Sequence, residues 1–267
     1  MTNDPTYIQL VNSMTLCSCI PQTVWINTSP SFRHFDQKLL REMAQIYRVA
    51  YWEYQEELDE ATTLDDVIGL VHDYLKSINQ PVHLIGHSTG GLIGLLYARK
   101  YPEKVKSLTL LSVGVYPASD WKAHYYIQYQ LLPFSREHIL QHLARQLFPC
   151  QSKNRQQAVF KLLERDLVES FSLHSLYQRI SISPASVPVP LMVCGSQTDY
   201  VITHSELEEW RSFFYPGDRL CWFPEGGHFF HHFYPQDVKA EVLRFWASIE
   251  PDHHPSQGSI INQKINC

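Results

Sequence analysis

The sequence holds little that points to a membrane, a nucleic acid or a bound cofactor. No apolar run is long enough to span a bilayer, so no integral membrane segment is expected. Acidic and basic residues are interspersed around a net charge of −5, which argues against a basic face for nucleic acid. No phosphate-binding glycine loop or dinucleotide fingerprint is present, and no cofactor is expected. The pairs His231-His232 and His253-His254 lack spaced acidic or cysteine partners, so no metal site is expected either.

Cysteines are few and scattered, with six among 267 residues. Cys194 and Cys221 lie in apolar runs, where a thiol is usually an inert core residue. Cys17 and Cys19 have no second Cys/His pair, so a zinc site there is not expected. The first residues lack the basic and apolar regions of a secretory signal. We therefore expect a cytoplasmic protein with reduced thiols.

Short apolar runs alternate with segments of helical periodicity, which favours one α/β domain with a mostly parallel sheet of about eight strands and helices on both faces. The expected strands are 7–11, 14–19, 23–27, 49–52, 82–85, 105–115, 191–195 and 219–223. The expected helices include 35–47, one capped by Thr63 with Asp66, one near 203–213, and 235–249.

One stretch breaks this alternation. Residues 116–186 contain no convincing strand, and helical segments are predicted at 119–132, 135–147, 154–170 and 173–182. We therefore divide the chain into a core of residues 1–115 and 187–250 and a helical insertion of residues 116–186. The polar tail 251–267 has no periodicity and is expected to be disordered.

The pentapeptide Gly86-His87-Ser88-Thr89-Gly90 lies directly between an apolar run and a helical stretch. In a strand–turn–helix context, G-x-S-x-G forms a sharp turn that exposes the serine hydroxyl at the carboxyl edge of a sheet. Gly86 and Gly90 allow strand and helix to approach closely. Without that role, the segment is a tight glycine turn with an incidental serine.

A serine hydroxyl needs a base, and the base needs a group that orients it. In the chain order Ser, Asp, His, the candidates are Ser88, Asp199 and His228, and each follows an apolar strand. Asp218 and Asp237 are poorer rivals for the acid because they lie in a turn and at a helix start. His231 and His232 are rivals for the base, although their position among phenylalanines favours a packing role.

With these motifs the chain resembles the α/β-hydrolase superfamily, specifically its small capped members, the haloperoxidase-type esterases and proline iminopeptidases. The resemblance spans about residues 20–249 and is carried by 82–105, 190–202 and 224–245. It implies that Ser88 is the nucleophile, His228 the general base, Asp199 the residue that orients it, and 116–186 the cap.

The chain departs from the family pattern at two loops. Asn27-Thr28-Ser29 replaces the usual His-Gly-x, so the oxyanion-hole N–H groups are expected from Ser29 and Thr89, with Thr28 required to aim the first of them without glycine. Glu53-Tyr54-Gln55-Glu56-Glu57 replaces an Asp-x-x-Gly-x-Gly turn, and this loop is expected to reshape one wall of the site.

The insertion is rich in aromatic and aliphatic residues. These side chains are suited to binding a small hydrophobic substrate. Alternatively, they serve only to pack the insertion onto the core. The expected pocket residues are His87, Tyr125, Tyr129 and Phe229. The leading hypothesis is a serine hydrolase that cleaves a carboxylic ester or thioester of a lipophilic small molecule. The alternative is a ligand-binding or interaction protein of the same fold with vestigial catalysis. A third possibility is a lipase that acts at membrane surfaces. The lack of an evident basic amphipathic stretch argues against it.

Overall fold

A computed structural model describes residues 6–10, 20–55, 62–148 and 152–249. The strands are β1 (Thr6–Leu10), β2 (Thr23–Asn27), β3 (Val49–Tyr54), β4 (Val82–His87), β5 (Val105–Leu111), β6 (Leu191–Ser196) and β7 (Arg219–Phe223). They form one sheet in the order β1-β3-β2-β4-β5-β6-β7. Only β1 and β3 pair antiparallel. The expected α/β architecture is confirmed, although the described residues contain seven strands instead of about eight.

Some expectations lie outside the described residues. These are the strand at 14–19 with Cys17 and Cys19, most of the loop 53–62, and the tail 251–267.

Helices cover both faces of the sheet, and their bounds are α1 (Arg33–Ala44), α2 (Leu64–Lys76), α3 (Ser88–Lys100), α4 (Trp121–Leu131), α5 (Arg136–Leu147), α6 (Lys153–Glu169), α7 (His204–Glu208), α8 (Phe230–Phe233) and α9 (Pro235–Ile249). One face buries a cluster that includes Leu39 of α1 and Phe245 of α9. The other face buries Val71 of α2 and Leu95 of α3. The strands between them are buried on both sides, which explains their continuous apolar runs.

The start of α2 follows the capping pattern read from the sequence. Thr63 Oγ1 accepts a hydrogen bond from the Asp66 N–H at 3.3 Å, and the Asp66 carboxylate accepts one from the Thr63 N–H at 2.9 Å. These two bonds satisfy N–H groups that a helix end leaves free. Because the helix begins there, Val67, Val71 and Leu75 face the core, as expected.

Two expectations for the region after β5 are wrong. β5 ends at Leu111 instead of residue 115, because Ser112 adopts a positive φ of 52° that a strand cannot continue through. The segment 173–182 is not a helix and contains only an isolated bridge between His174 and Arg179. Ser175 explains this, since its hydroxyl accepts the N–H groups of Tyr177 and Gln178 and so competes with helical hydrogen bonds.

A buried ion pair joins α4 and α6, two of the three helices of the insertion. Lys122 Nζ lies 3.7 Å from Asp166 Oδ2 and donates hydrogen bonds to the carbonyl groups of Ser170 and Phe171. Asp166 also accepts a bond from the indole of Trp121 at 3.1 Å. Burial raises the pKa of Asp166, and the nearby Lys122 opposes that shift. This pair holds α4 against the end of α6.

Candidate active site

Ser88 occupies the sharp turn between β4 and α3. Its φ of +49° is one of two positive values among the described non-glycine residues. A Cβ atom at Gly90 would lie 2.3 Å from the Ile26 carbonyl oxygen, and one at Gly86 would lie 2.6 Å from Gly91 Cα. Glycine is therefore required at both positions for the turn to close. The strained turn leaves Ser88 partly exposed at the N-terminus of α3, where N–H groups are free.

Asp199 and His228 meet at the same edge of the sheet. The Nδ1 atom of His228 lies 3.1 Å and 3.2 Å from the two carboxylate oxygens of Asp199, and neither side chain is exposed. Burial alone would raise the pKa of Asp199, but the charge and hydrogen bond of His228, with the Val201 N–H and the Ser112 hydroxyl, outweigh it and lower that pKa. Asp199 is therefore held as a carboxylate that orients the imidazole.

The other imidazole nitrogen of His228 is unpaired. Nε2 is buried and makes no hydrogen bond within the described part of the chain, Ser88 included. In a serine hydrolase this is the nitrogen that takes the hydroxyl proton, and such contacts often tighten only when substrate binds. The atom is therefore available to a nucleophile or a ligand.

The backbone of His228 is held by two side chains that sequence reasoning did not assign to this task. Its carbonyl oxygen accepts hydrogen bonds from His87 Nε2 at 2.8 Å and from Ser112 Oγ at 3.0 Å. Ser112 follows β5 directly, and only its position just past a strand end could have signalled a role at this edge. The turn into His228 depends on positive φ values at Gly226 and Gly227.

The rival residues have other partners. His231 Nε2 lies 3.1 Å from Asp36 Oδ1, and His232 Nδ1 lies 3.2 Å from the Phe35 carbonyl oxygen. Asp218 accepts the N–H groups of Leu191 and Tyr215 in a turn. Asp237 lies in the first turn of α9. Of the candidates read from the sequence, Asp199 and His228 are the acid and base that meet.

Behind His87 lies a second buried acid–imidazole pair. The rings of His87 and His231 are 4.5 Å apart, and those of His87 and His228 are 4.7 Å apart. Burial, with the neighbouring imidazoles, lowers the pKa of His87, and burial lowers the pKa of His231 to about 3. Burial also raises the pKa of Asp36 to about 8, which the hydroxyl of Tyr51 partly opposes. The Asp36–His231 pair is therefore uncharged at neutral pH.

The loop expected to form the oxyanion hole has an internal hydrogen bond. The Ser29 N–H donates to Asn27 Oδ1 at 3.1 Å, and Asn27 Nδ2 donates to Glu53 Oε2 at 2.9 Å. Thr28 is not among the described residues with a positive φ, so the loop needs no glycine there. Thr89 is the second residue of α3, and its hydroxyl donates to Asp120 at 3.1 Å, which ties the turn to the start of α4.

The expected pocket residues fall into two groups. His87 and Phe229 lie beside His228, and Phe229 packs among Phe32, Phe35 and Phe148. Tyr125 and Tyr129 stack on each other at 5.9 Å on α4. Among the described side chains, neither tyrosine makes a ring contact with His87 or Phe229, and both tyrosines lie in the insertion.

The described residues contain no group of three metal-ligating side chains and no helix of the length and apolarity that a membrane crossing requires.

Comparisons with known proteins bear on the family of the fold. A family model described as alpha/beta hydrolase fold matches residues 63–183. An uncharacterized protein of Synechocystis sp. (strain ATCC 27184 / PCC 6803 / Kazusa) is 43% identical over 90% of this chain and 97% of its own. Another, of Nostoc sp. (strain PCC 7120 / SAG 25.82 / UTEX 2576), is 41% identical over 84% of this chain and 89% of its own.

The fold itself matches solved structures. MGS-M2, an alpha/beta hydrolase enzyme from a Medee basin deep-sea metagenome library, superposes with a TM-score of 0.66 at 16% identity, over 91% of this chain and 94% of that one. The strand–turn–helix around Ser88, the mostly parallel sheet and these matches lead to one conclusion: the chain belongs to the α/β-hydrolase fold family.

Proposed function

We propose that this hydrolase-family protein is a serine hydrolase that cleaves a carboxylic ester, or a thioester, of a lipophilic small molecule through an acyl-enzyme on Ser88. The observation that carries the proposal is the buried Asp199–His228 pair at 3.1 Å, with its free Nε2 atom, at the sheet edge that also bears the strained Ser88 turn.

The proposed reaction has two halves. His228 Nε2 takes the Ser88 proton as Oγ attacks the acyl carbon, and it returns that proton to the leaving alcohol or thiol. A water molecule, deprotonated by the same nitrogen, then attacks the acyl carbon; the acyl–Oγ bond breaks, the proton passes from Nε2 to Ser88 Oγ, and the acid leaves. The negative charge that develops on the acyl oxygen is proposed to be held by the N–H groups of Thr89 and Ser29. For Ser29 this requires its bond to Asn27 to open.

The proposed substrate class follows from the surroundings of Ser88. His87 and Phe229 line the imidazole side, and a cluster of buried phenylalanines continues from there. The helices of the insertion, proposed to form a cap over the core, add further apolar surface. Surfaces of this kind favour an apolar acyl or alcohol group over a charged one.

A fluorophosphonate probe tests the nucleophile directly. Intact-mass analysis is expected to show a single adduct on the wild-type protein and none on Ser88→Ala. Ser248→Ala, in α9, should label like wild type because the Ser248 hydroxyl donates to the Phe245 carbonyl of the same helix. Absence of an adduct on the wild-type protein, or an adduct on Ser88→Ala, would contradict the proposal.

A second function is favoured by one observation. Because the Ser29 N–H is already bonded to Asn27, the oxyanion site is incomplete as it stands, and a ligand-binding protein with vestigial catalysis would tolerate this. A panel of short- and long-chain esters and thioesters separates the two functions. Probe labelling with turnover supports the hydrolase, whereas saturable ligand binding without turnover on the panel supports the binding protein.

A further inference from the structure

Large apolar side chains cluster on the outer surface of the insertion. Leu131 is 75% exposed and Tyr177 is 97% exposed. We name the set the apolar crown; its members, all exposed, are Ile127, Leu131, Leu132, Phe134, Leu176 and Tyr177. Single exposed apolar residues are ordinary, but a group of this size on neighbouring segments usually marks a surface that contacts something else.

Three backbone segments contribute side chains to the crown. Ile127 and Leu131 are four residues apart on α4 and so share one helix face. Leu132 and Phe134, in the turn that follows, line a groove of about 560 Å³ together with Tyr200. The side chain of Gln130 donates a hydrogen bond to the Leu176 carbonyl oxygen, which brings the 176–177 segment beside α4.

Three arginines lie in or next to the segments that carry this apolar surface. Arg136 follows Phe134 closely, Arg145 lines the same groove, and Arg179 follows Tyr177. All three are exposed, and none forms an ion pair with another described residue. Residues 116–186 contain eight Lys and Arg against five Asp and Glu, whereas the whole chain has 22 against 27. The insertion is thus a positive region on a negative protein.

The combination selects one type of partner. Exposed leucine and phenylalanine side chains partition into the boundary between lipid headgroups and acyl chains, and tyrosine is favoured at that boundary. Arginines around them are attracted to anionic headgroups. A second copy of this chain is a poorer fit, because a symmetric contact would bring the same arginines of two copies together.

We propose that the apolar crown and its arginines form a docking surface for anionic lipid membranes, on which the protein binds peripherally. The amphipathic surface is assembled from α4, the α4–α5 turn and the 176–177 segment, so no single stretch of sequence displays it. The docking surface does not depend on the proposed hydrolase function. If both hold, the crown adjoins the site, since Tyr200 of its groove follows Asp199 in the chain.

Vesicle sedimentation of the full chain tests the surface without any turnover. Vesicles of phosphatidylglycerol and phosphatidylcholine are expected to bind the protein, and pure phosphatidylcholine to bind it at least tenfold more weakly. Binding should weaken with salt, because the Debye length shortens. Arg136→Ser with Arg145→Ser should lower the partition coefficient by about fivefold for each arginine.

A matched pair of double variants distinguishes binding through the crown from nonspecific binding through any exposed apolar residue. Leu131→Ser with Tyr177→Ser should reduce binding at least tenfold. Ile46→Ser with Tyr215→Ser, which alters residues that are 57% and 54% exposed outside the insertion, should bind like wild type. If the crown double variant does not fold, Tyr177→Ser alone replaces it and should reduce binding severalfold.

Three results would overturn the proposal. They are no binding to the phosphatidylglycerol vesicles, equal loss of binding in the control and crown variants, and a dimer in sedimentation equilibrium that the crown substitutions dissolve. The last result would assign the surface to a second copy of the chain. None of these results would change the outcome of the fluorophosphonate test, so the two proposals fail separately.

Discussion

The carboxamide oxygen of Asn27 accepts the Ser29 N–H at 3.1 Å, and this bond occupies a donor that an oxyanion would need. The net contribution of such a hydrogen bond to stability is about 1 kcal/mol. If the bond must open for catalysis, this cost corresponds to about a fivefold lower rate. Asn27→Ala is therefore expected to raise the rate of acylation by a probe or ester by up to about fivefold. Stopped-flow release of p-nitrophenol measures it.

The control for this substitution is Gln22, which directly precedes β2, whereas Asn27 is the last residue of that strand. Gln22 also uses its side-chain oxygen to accept a backbone N–H, that of Arg48. Gln22→Ala should leave acylation unchanged. A fall in acylation with Asn27→Ala would mean that the carboxamide supports the loop in its active form instead of restraining it.

Asp199 is expected to be required because it fixes the imidazole tautomer. Asp199→Asn keeps the shape but no longer favours a proton on Nδ1, and the expected loss in kcat is on the order of 10⁴-fold. Asp218→Asn is the matched control, since Asp218 holds a turn and should affect stability more than turnover. Similar kcat losses in the two variants would contradict the assignment of the acid. Steady-state hydrolysis of a p-nitrophenyl ester provides both values.

The two donors to the His228 carbonyl are expected to support each other. Removing one leaves the other in place, so His87→Phe and Ser112→Ala should each lower kcat by about fivefold. Removing both leaves a buried carbonyl without either donor, and the double variant should lose more than the product of the two single losses. A double-mutant cycle on kcat measures this coupling.

His72→Phe is a suitable comparison for that cycle. The His72 imidazole contacts the Tyr97 hydroxyl at 3.3 Å on the α2–α3 side of the sheet, and its loss should leave kcat unchanged. Strict additivity of the two substitutions at His87 and Ser112 would show that they do not act through the shared carbonyl.

Loss of one partner of the buried Lys122–Asp166 pair should lower the free energy of unfolding much more than replacement of both partners by apolar residues. Lys122→Met leaves an uncompensated buried carboxylate and is expected to lower the free energy of unfolding by about 3–5 kcal/mol. Adding Asp166→Leu should restore much of that loss. Arg165→Met, which breaks the exposed pair with Glu169, should change stability by less than about 1 kcal/mol. Urea denaturation followed by circular dichroism distinguishes these outcomes.

Stability should fall between pH 6.5 and 8 because of Asp36. Burial raises the pKa of its carboxyl to about 8 in the folded state, well above the value of an unfolded chain. Folding thus takes up a proton in this window, and the free energy of unfolding decreases by about 1.4 kcal/mol per pH unit, or about 2 kcal/mol in all. His231, with its pKa lowered to about 3, acts in the opposite sense, but only below about pH 6.5.

Asp36→Asn should flatten the pH dependence in that window. Asp237→Asn alters an exposed acid of the same type and should leave the wild-type slope unchanged. Urea midpoints measured at intervals of half a pH unit give both slopes. An unchanged slope in Asp36→Asn would mean that this carboxyl is ionised throughout the range.

The sequence by itself predicted the α/β architecture, which the structure confirms, and it supplied the three candidates for the proposed triad. Each strand before Ser88, Asp199 and His228 is a short apolar run, and the carboxyl ends of parallel strands share one edge of a sheet. The sequence also predicted the helix start at Thr63 and the helix α9. Both predictions use residues close together in the chain, since helix caps and helical periodicity are local patterns.

Only the tertiary structure decided the contacts between residues far apart in the chain. The bond from His87 to the His228 carbonyl joins positions 141 residues apart, and the Asp36–His231 pair joins positions 195 residues apart. The apolar crown likewise depends on α4 meeting the 176–177 segment, where the Ser175 side chain stabilises a turn in place of the expected helix. Periodicity describes which face of an element is buried, whereas packing of the whole chain selects the partner of each polar group.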